Sequence, residues 1–216
     1  MLSASEIAAL HDQLTRVWHH VPGDAVVDVP PAAGSSPAPD ANLDWLGSVA
    51  RLHRANFDLW HIEDEARAPG ATDAEVAGVK RRIDRTNQLR NDLVEELDRA
   101  LLGWLEAQGL LNSVAQLHSE SPGQIVDCLS ILALKIYHTR EAAERADAPP
   151  GHAERNRDRL AILEQQRTDL AGCLDGLWRE TLAGARRFKL YLQLKMYNDP
   201  SLNPAIYRQP GKESSR

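Results

Sequence analysis

The chain has few of the features that mark secreted, disulfide-stabilised or membrane proteins. Its 216 residues include two cysteines, Cys128 and Cys173, whose spacing is not that of a metal site. We interpret them as buried free thiols of a protein in a reducing compartment. No run approaches the ~18 consecutive apolar residues of a membrane span, and the N-terminus lacks the basic run and apolar core of a secretory signal. We therefore expect a cytoplasmic protein without a membrane partner.

The formal net charge of −6 is distributed unevenly along the chain. Residues 186–216 include seven basic and two acidic residues, about +5, which leaves about −11 for the rest. An acidic body repels polyanions, so the composition argues against a nucleic-acid partner. The chain also lacks a glycine-rich phosphate loop, a Gly-x-Ser-x-Gly sequence and a Cys–His nucleophile pattern. The enzyme classes that depend on these motifs are therefore not indicated.

The apolar spacing predicts helices and no convincing strand. Residues 1–20 form an N-terminal helical unit that begins at a capping box of Ser3 and Glu6. Five prolines mark residues 21–42 as a linker or surface loop. The body, residues 43–207, holds two helical hairpins, 43–108 and 121–197, with a short connecting helix at 110–118 and the last helix continuing to Tyr197. Residues 208–216 are predicted to be a disordered tail.

The two hairpins repeat each other at a constant offset of 77 residues, so that His61 corresponds to His138 and Arg90 to Arg167. The connection between them is too short to retrace a long helix at ~1.5 Å per residue, which favours an up-down-up-down order. The sequence thus predicts an all-α fold, namely a pseudo-symmetric up-down-up-down four-helix bundle built from two tandem helical hairpins, with an extra N-terminal helix. In this arrangement His61 and His138 lie at similar height.

Arg90 and Arg167 occupy positions in the apolar seams of the two hairpins. A guanidinium keeps its charge, so a buried arginine needs a partner. One interpretation is an internal salt bridge, or a side chain that reaches the edge of the bundle. The other is an anion site in which both arginines bind a phosphate or carboxylate, with Asn56 and Gln88 as further ligand-binding residues.

His61 with Asp64 and His138 with Glu141 are i, i+3 pairs, so each histidine shares a helix face with an acid. These four residues are the candidates for a catalytic role. Metal binding is the sharper interpretation, because di-metal bundles use Glu-x-x-His on two helices plus a glutamate from each of the others. Here the order is reversed and the symmetric carboxylates are missing, so the pattern does not indicate a di-metal site.

Four acids, Glu63, Asp64, Glu95 and Asp98, offer an alternative metal site. They faintly resemble the Mg²⁺-binding carboxylates of all-α nucleotide pyrophosphohydrolases of the MazG type. That resemblance implies Mg²⁺ as the cofactor and nucleotide hydrolysis as the reaction. The usual Glu-x-x-Glu is His61-x-x-Asp64 here, and runs of acids are usually solvated helix faces.

Three stretches of the sequence are Asn56-Phe-Asp-Leu-Trp-His-Ile-Glu-Asp-Glu-Ala-Arg67, Asn87-Gln-Leu-Arg-Asn-Asp92 and Lys195-Met-Tyr-Asn-Asp-Pro-Ser-Leu-Asn-Pro204. Together they resemble a bacterial family called domain of unknown function 4254, over roughly residues 43 to 207. The resemblance implies a helical protein of about this length with no assigned activity. It therefore transfers no catalytic role to any residue.

These observations support three hypotheses of different class. In the first, a central His/Arg/acid layer binds a small phosphate- or carboxylate-bearing ligand, which Arg90 and Arg167 would grip. In the second, the protein is a Mg²⁺-dependent nucleotide pyrophosphohydrolase. In the third, it is a non-enzymatic scaffold or interaction protein whose polar core residues are paired with one another. The sequence decides neither whether the protein is an enzyme nor which cofactor it uses, and it is compatible with a homo-oligomer.

Overall fold

The computed structural model describes residues 3–20, 44–194 and 201–203. Within them, in chain order, the elements are α1 (Ala4–His20), α2 (Trp45–Glu65), α3 (Asp73–Ala107), β1 (Gln116–Leu117), α4 (Pro122–Glu144), α5 (His152–Leu182) and β2 (Arg186–Arg187). The all-α prediction is confirmed. None of the described helices combines the length and apolar character needed to cross a membrane. The predicted linker at 21–42 and the predicted tail at 208–216 lie outside the described residues.

Three of the helices begin at capping boxes that the sequence encodes. The predicted box of Ser3 and Glu6 lies at the start of α1. At the start of α3, the Thr72 hydroxyl accepts from the Glu75 N–H, and the Glu75 carboxylate accepts from the Thr72 N–H. Ser121 and Gln124 do the same for α4, with Pro122 as its first residue. The predicted start of α4 is thereby confirmed. Because these caps satisfy N–H groups that have no partner within the helix, they fix where the helices begin.

The region after α5 differs from the prediction. Helix α5 ends at Leu182 instead of continuing to Tyr197, and Gly184 follows with a left-handed φ of 70° that suits a helix end. Strand β2 then pairs in parallel with β1, which lies where the sequence predicted a short helix at 110–118. Phe188 is 3% exposed and keeps the sevenfold apolar spacing, although it lies beyond the helix. The apolar spacing thus runs past the end of the helix, which is why the prediction was wrong.

Helices α1 and α2 run in the same direction. His11 stacks on His53 with ring centroids 4.5 Å apart, and His19 contacts His61 with ring centroids 5.1 Å apart. The residue numbers in both pairs differ by 42. Moving eight residues along α1 therefore corresponds to moving eight residues in the same direction along α2. This is possible only if the two helices are parallel.

Helices α2 and α4 are also parallel, because residues that lie 77 positions apart in the sequence meet at two levels of the pair. The Nδ1 atom of His53 and the Oγ atom of Ser130 are hydrogen-bonded at 2.7 Å and lie 77 residues apart in sequence. The rings of His61 and His138 lie 5.9 Å apart between centroids. The predicted common height of these two histidines is confirmed. Helices α3 and α5 return in the opposite direction, since each forms a hairpin with the preceding helix.

Helix α1 contributes to the core of the protein. Its residues Ile7, Leu10 and Leu14 are buried in one apolar cluster with Leu52 of α2 and Leu129 of α4. In the described part of the chain, α2 and α5 have no Cα atoms within 8 Å of each other, whereas α1 packs against both. The arrangement therefore differs from a closed four-helix bundle with an appended helix, because α1 lies between α2 and α5. It also brings three parallel helices, α1, α2 and α4, into mutual contact.

Candidate metal centre

Three histidines converge where the three parallel helices meet. They are His19 of α1, His61 of α2 and His138 of α4, and one ring nitrogen of each lies within 4.8 Å of the others. The ring centroid of His19 lies 5.1 Å from that of His61 and 4.9 Å from that of His138. Because each helix supplies one residue at the same level, the rings surround a common point.

The Nδ1 atoms of all three rings are occupied by acceptors. His19 donates to the carbonyl oxygen of Thr15 at 2.7 Å, and His61 donates to that of Phe57 at 2.8 Å. The Nδ1 atom of His138 lies 3.0 Å from an oxygen of the Glu141 carboxylate. Carbonyl and carboxylate oxygens only accept, so each Nδ1 carries the hydrogen. Each neutral ring therefore keeps its lone pair on Nε2.

The free lone pairs suit a metal cation. The Nε2 atoms of His19 and His138 are buried, and no described residue hydrogen-bonds to either. Buried polar atoms are nearly always paired, and an unpaired one is explained by strain, a catalytic role, a water molecule or an ion. Unpaired buried nitrogens also occur at His11, Asn91 and His152, so the convergence of the three rings distinguishes this cluster. In metal centres, a ligating histidine typically donates its other nitrogen to a backbone carbonyl or a carboxylate. All three rings show that pattern.

Burial keeps two of the rings neutral. The pKa of His19 lies below its usual value of 6.5, first because burial penalises the charged form, and also because His61 is close. The pKa of His138 is lowered by burial and by the neighbouring His19. Since a metal binds only the neutral imidazole, a lowered pKa means that protons compete less for the lone pairs at pH 7.

Aromatic neighbours hold the rings in place. Trp60 stacks on His138 with ring centroids 4.8 Å apart and an angle of 9° between the planes. Tyr137 stacks on His19 at 4.3 Å and 17°. Packing and the Nδ1 hydrogen bonds therefore restrict the rings to small rotations, and such support is what a pre-organised site requires.

The chemistry of the three ligands suits a transition metal. Imidazole nitrogen binds Zn²⁺, Cu²⁺, Ni²⁺ and Fe²⁺, whereas Mg²⁺ and Ca²⁺ prefer oxygen. A tetrahedral Zn²⁺ with bonds of about 2.0–2.1 Å would place its ligand nitrogens about 3.4 Å apart. The nitrogens here lie within 4.8 Å of one another, so small ring rotations would bring them to a common ion.

The comparison with protein families adds one result. The family model described as Protein of unknown function (DUF4254) matches residues 47–190. The chain belongs to this family. The DUF4254 match contains His61 and His138 but begins after α1, so the third histidine of the cluster, His19, lies outside it. No curated protein and no solved structure shows significant similarity to the chain.

The two arginines predicted to grip an anion lie in separate ion pairs. Arg90 of α3 makes two hydrogen bonds to the carboxylate of Asp127, one of them from Nε at 2.8 Å. Arg167 of α5 donates from Nη1 to both carboxylate oxygens of Asp12 in α1, at 2.8 and 2.9 Å. Each guanidinium is thus neutralised by its own acid on a different helix. This geometry matches the internal salt bridges that the sequence left open.

A buried polar chain connects three of the helices below the histidine cluster. The Thr15 hydroxyl is hydrogen-bonded to His53 Nε2 at 2.9 Å, and His53 Nδ1 to the Ser130 hydroxyl at 2.7 Å. Asn56 donates to Ser130 at 3.0 Å and to Asp127, the partner of Arg90, at 2.8 Å. Asn56, predicted as a ligand-binding residue, is therefore part of this network. Its satisfied hydrogen bonds give it a structural role in the core.

The remaining predicted residues lie around the cluster or away from it. Glu141 orients His138, as described above. Asp64 lies at a cavity of about 400 Å³ that also borders Arg90. Gln88 donates to Asp92 on the exposed face of α3, and this places it outside the polar layer.

The acids of the predicted Mg²⁺ site do not come together. They are Glu63, Asp64, Glu95 and Asp98. Arg82 of α3 pairs with Glu65 near the end of α2, whereas Arg51 near the start of α2 pairs with Glu96. Glu63 and Asp64 lie beside the Arg82–Glu65 pair, and Glu95 and Asp98 lie beside the Arg51–Glu96 pair. The two pairs are separated by 14 residues of α2, which correspond to about 20 Å. One Mg²⁺, which needs ligands at about 2.0–2.1 Å, cannot join them.

His19 is the residue that sequence reasoning missed. The repeat marked His61 and His138 because they correspond, but α1 lies outside the repeat. A signal was present, since His11 and His19 are spaced by eight residues in α1, as His53 and His61 are in α2. Two helices with the same histidine spacing can pair level by level, which is what the structure shows.

Proposed function

We propose that this protein binds a divalent transition-metal ion, with Zn²⁺ as the best fit, through the Nε2 atoms of His19, His61 and His138. The observation that carries the proposal is the pair of buried, unpartnered Nε2 atoms, of His19 and His138, beside a third ring whose Nδ1 is likewise occupied. This combination leaves three lone pairs directed to one place. Without a metal, two of them, those of His19 and His138, are buried with no protein donor.

The metal would also account for the anionic ligand expected from the sequence. Arg90 and Arg167 are neutralised by acids, so they offer little net charge to an anion. A divalent ion held by three neutral imidazoles retains its full charge and a fourth coordination position, as in catalytic zinc sites. Under this proposal, water or a small anionic group occupies that position.

We further infer that the hairpins α2–α3 and α4–α5 are related by a pseudo-twofold axis parallel to α2 and α4. The support is that residues 77 positions apart meet each other, as His53 does with Ser130 and His61 with His138. The metal would then lie close to this axis. Helix α1 breaks this symmetry, because it supplies the third ligand and separates α2 from α5, whereas α3 packs directly on α4.

The test is a metal titration of protein first stripped with EDTA. An ion present at 100 times its Kd stabilises the folded state by about 2.7 kcal/mol, which for a chain of this length raises the Tm by about 5–10 °C. His61→Ala removes one of three ligands and should lower the affinity by at least about 100-fold. Inductively coupled plasma mass spectrometry of the purified protein identifies the bound element.

The matched control is His20→Ala. His20 is exposed and donates from Nδ1 to the carbonyl of Arg16 at 2.7 Å, the same local hydrogen bond that His19 makes. It should leave metal affinity unchanged. If Zn²⁺, Co²⁺, Ni²⁺ and Cu²⁺ all fail to shift the Tm, or if His61→Ala binds as tightly as the original protein, the metal proposal is overturned and the scaffold hypothesis gains.

A further inference from the structure

A groove between α4 and α5 adjoins the histidine cluster. It has a volume of about 410 Å³, and His138 and Trp60 form part of its wall. Along α5 the lining residues run from Asn156 to Gln166, ten residues or about 15 Å. The groove is therefore long enough for an extended small molecule. Its wall includes His138, which is a proposed metal ligand.

The groove is positively charged in an otherwise acidic protein. Lys135 of α4 and Arg159 of α5 line it, and no aspartate or glutamate does. Neither cation takes part in a salt bridge within the described residues, and the Arg159 side chain reaches only the Asn156 amide oxygen, at 3.4 Å. Elsewhere on the same helix pair, Arg140 is matched by Glu164. The two cations of the groove thus remain available to an anion.

Part of the remaining wall is apolar. Ile162 is 59% exposed, and Leu163 and the Trp60 indole lie in the same groove. An exposed isoleucine with partly buried aliphatic and aromatic neighbours, beside two cations without acid partners, suits a ligand with an apolar body and an anionic head. The head would bind through charge-assisted hydrogen bonds, which are about twice as strong as neutral ones.

We propose that this groove binds an elongated small molecule whose apolar body packs on Trp60 and Ile162 and whose phosphate or carboxylate is held by Lys135 and Arg159. The binding of the anion does not require the metal. We add a second step, in which the anionic head of the bound molecule also contacts the metal ion beside His138. Only this second step rests on the proposed metal centre. The sequence predicted an anionic ligand at Arg90 and Arg167, and the structure offers cations without acid partners at a different place.

The experiment is isothermal titration calorimetry with 1-naphthyl phosphate, 1-naphthoate and the neutral 1-naphthol. Metal-free protein should bind the better anion at least tenfold more tightly than the neutral compound, and the tighter of the two anions identifies the head group. The double variant Lys135→Ala/Arg159→Ala should lower the affinity for that anion by at least about tenfold. The control Arg157→Ala, an exposed arginine on α5 that does not line the groove, should bind as the original protein does.

Two results would overturn the proposal, namely equal affinity for the anions and 1-naphthol, or unchanged anion affinity in the double variant. Both are measured without metal, so neither bears on the metal centre. Repeating the titration with Zn²⁺-loaded protein tests the second step. Tighter binding of the anion than in metal-free protein supports it, and equal affinity contradicts it while leaving the groove proposal intact.

Discussion

Asp98 makes a specific prediction about stability and pH. Its side chain is 2% exposed, and its carboxylate accepts hydrogen bonds from the Ser121 hydroxyl and from the Gly123 N–H at 2.7 Å. Burial raises the pKa of the carboxyl from 3.8 to about 6, although these two hydrogen bonds act in the opposite direction. Ionising Asp98 therefore costs more free energy in the folded protein than in the unfolded chain.

The size of the effect follows from the two pKa values. The folded pKa lies about 2.2 pH units above the unfolded one, so full ionisation destabilises the fold by about 3 kcal/mol at about 1.36 kcal/mol per unit. Relative to the ionised form, the protonated carboxyl thus contributes about 3 kcal/mol of stability. This stability is fully present below pH 3.8 and is lost as pH rises through about 6. Lowering the pH from 7 to 5 should recover about 1.3 kcal/mol of it.

The perturbation is Asp98→Asn, which keeps the shape but cannot ionise. Urea unfolding of both proteins at pH 7 and pH 5 gives the change in the free energy of unfolding for each. Other titrating groups, such as the buried His53 whose pKa falls to about 3, contribute equally to both proteins and cancel in the difference. Between pH 7 and pH 5, the free energy of unfolding of the original protein should rise by about 1.3 kcal/mol relative to that of the variant. A difference near zero, or of opposite sign, would refute the reasoning.

Two further predictions concern the metal centre and the ion pairs. Glu141→Gln should lower metal affinity by about 10–100-fold, measured by competition with a chelator of known affinity, because the carboxylate orients His138; an unchanged affinity would contradict that role. Arg90→Ala should cost about 3 kcal/mol in urea unfolding, and Arg167→Ala about 1 kcal/mol, because the acid that Arg90 leaves behind is 9% exposed whereas that of Arg167 is 32% exposed. An equal cost for the two would contradict burial as the cause.

The repeat in the sequence anticipated part of the site. A constant offset of 77 residues placed His61 and His138 at the same height, and their rings do lie together. Helix starts were also readable, because the capping residues Thr72 and Ser121 act within a few residues of the chain. These features depend on local chemistry or on a residue spacing shared by two parts of the chain, and both leave a trace in one sequence.

The rest depends on tertiary packing, of which the equal histidine spacing in α1 and α2 was the one trace noted above. The level at which α1 docks on α2 is set by the stacking of His11 on His53, a contact between residues 42 positions apart with no local signature. His19 joins the cluster only through that docking. The partners of Arg90 and Arg167 were equally hidden, since Asp127 and Asp12 become their neighbours only when the helices assemble.

The most direct test of the central claim is X-ray absorption spectroscopy of the protein loaded with one equivalent of Zn²⁺ after removal of endogenous metal. We expect three imidazole ligands at about 2.0–2.1 Å, with the outer-shell scattering typical of histidine rings. His19→Ala should reduce that number to two, and His20→Ala should leave it at three. A spectrum with only oxygen ligands, or one unchanged in His19→Ala, would contradict the claim that three parallel helices build a metal centre.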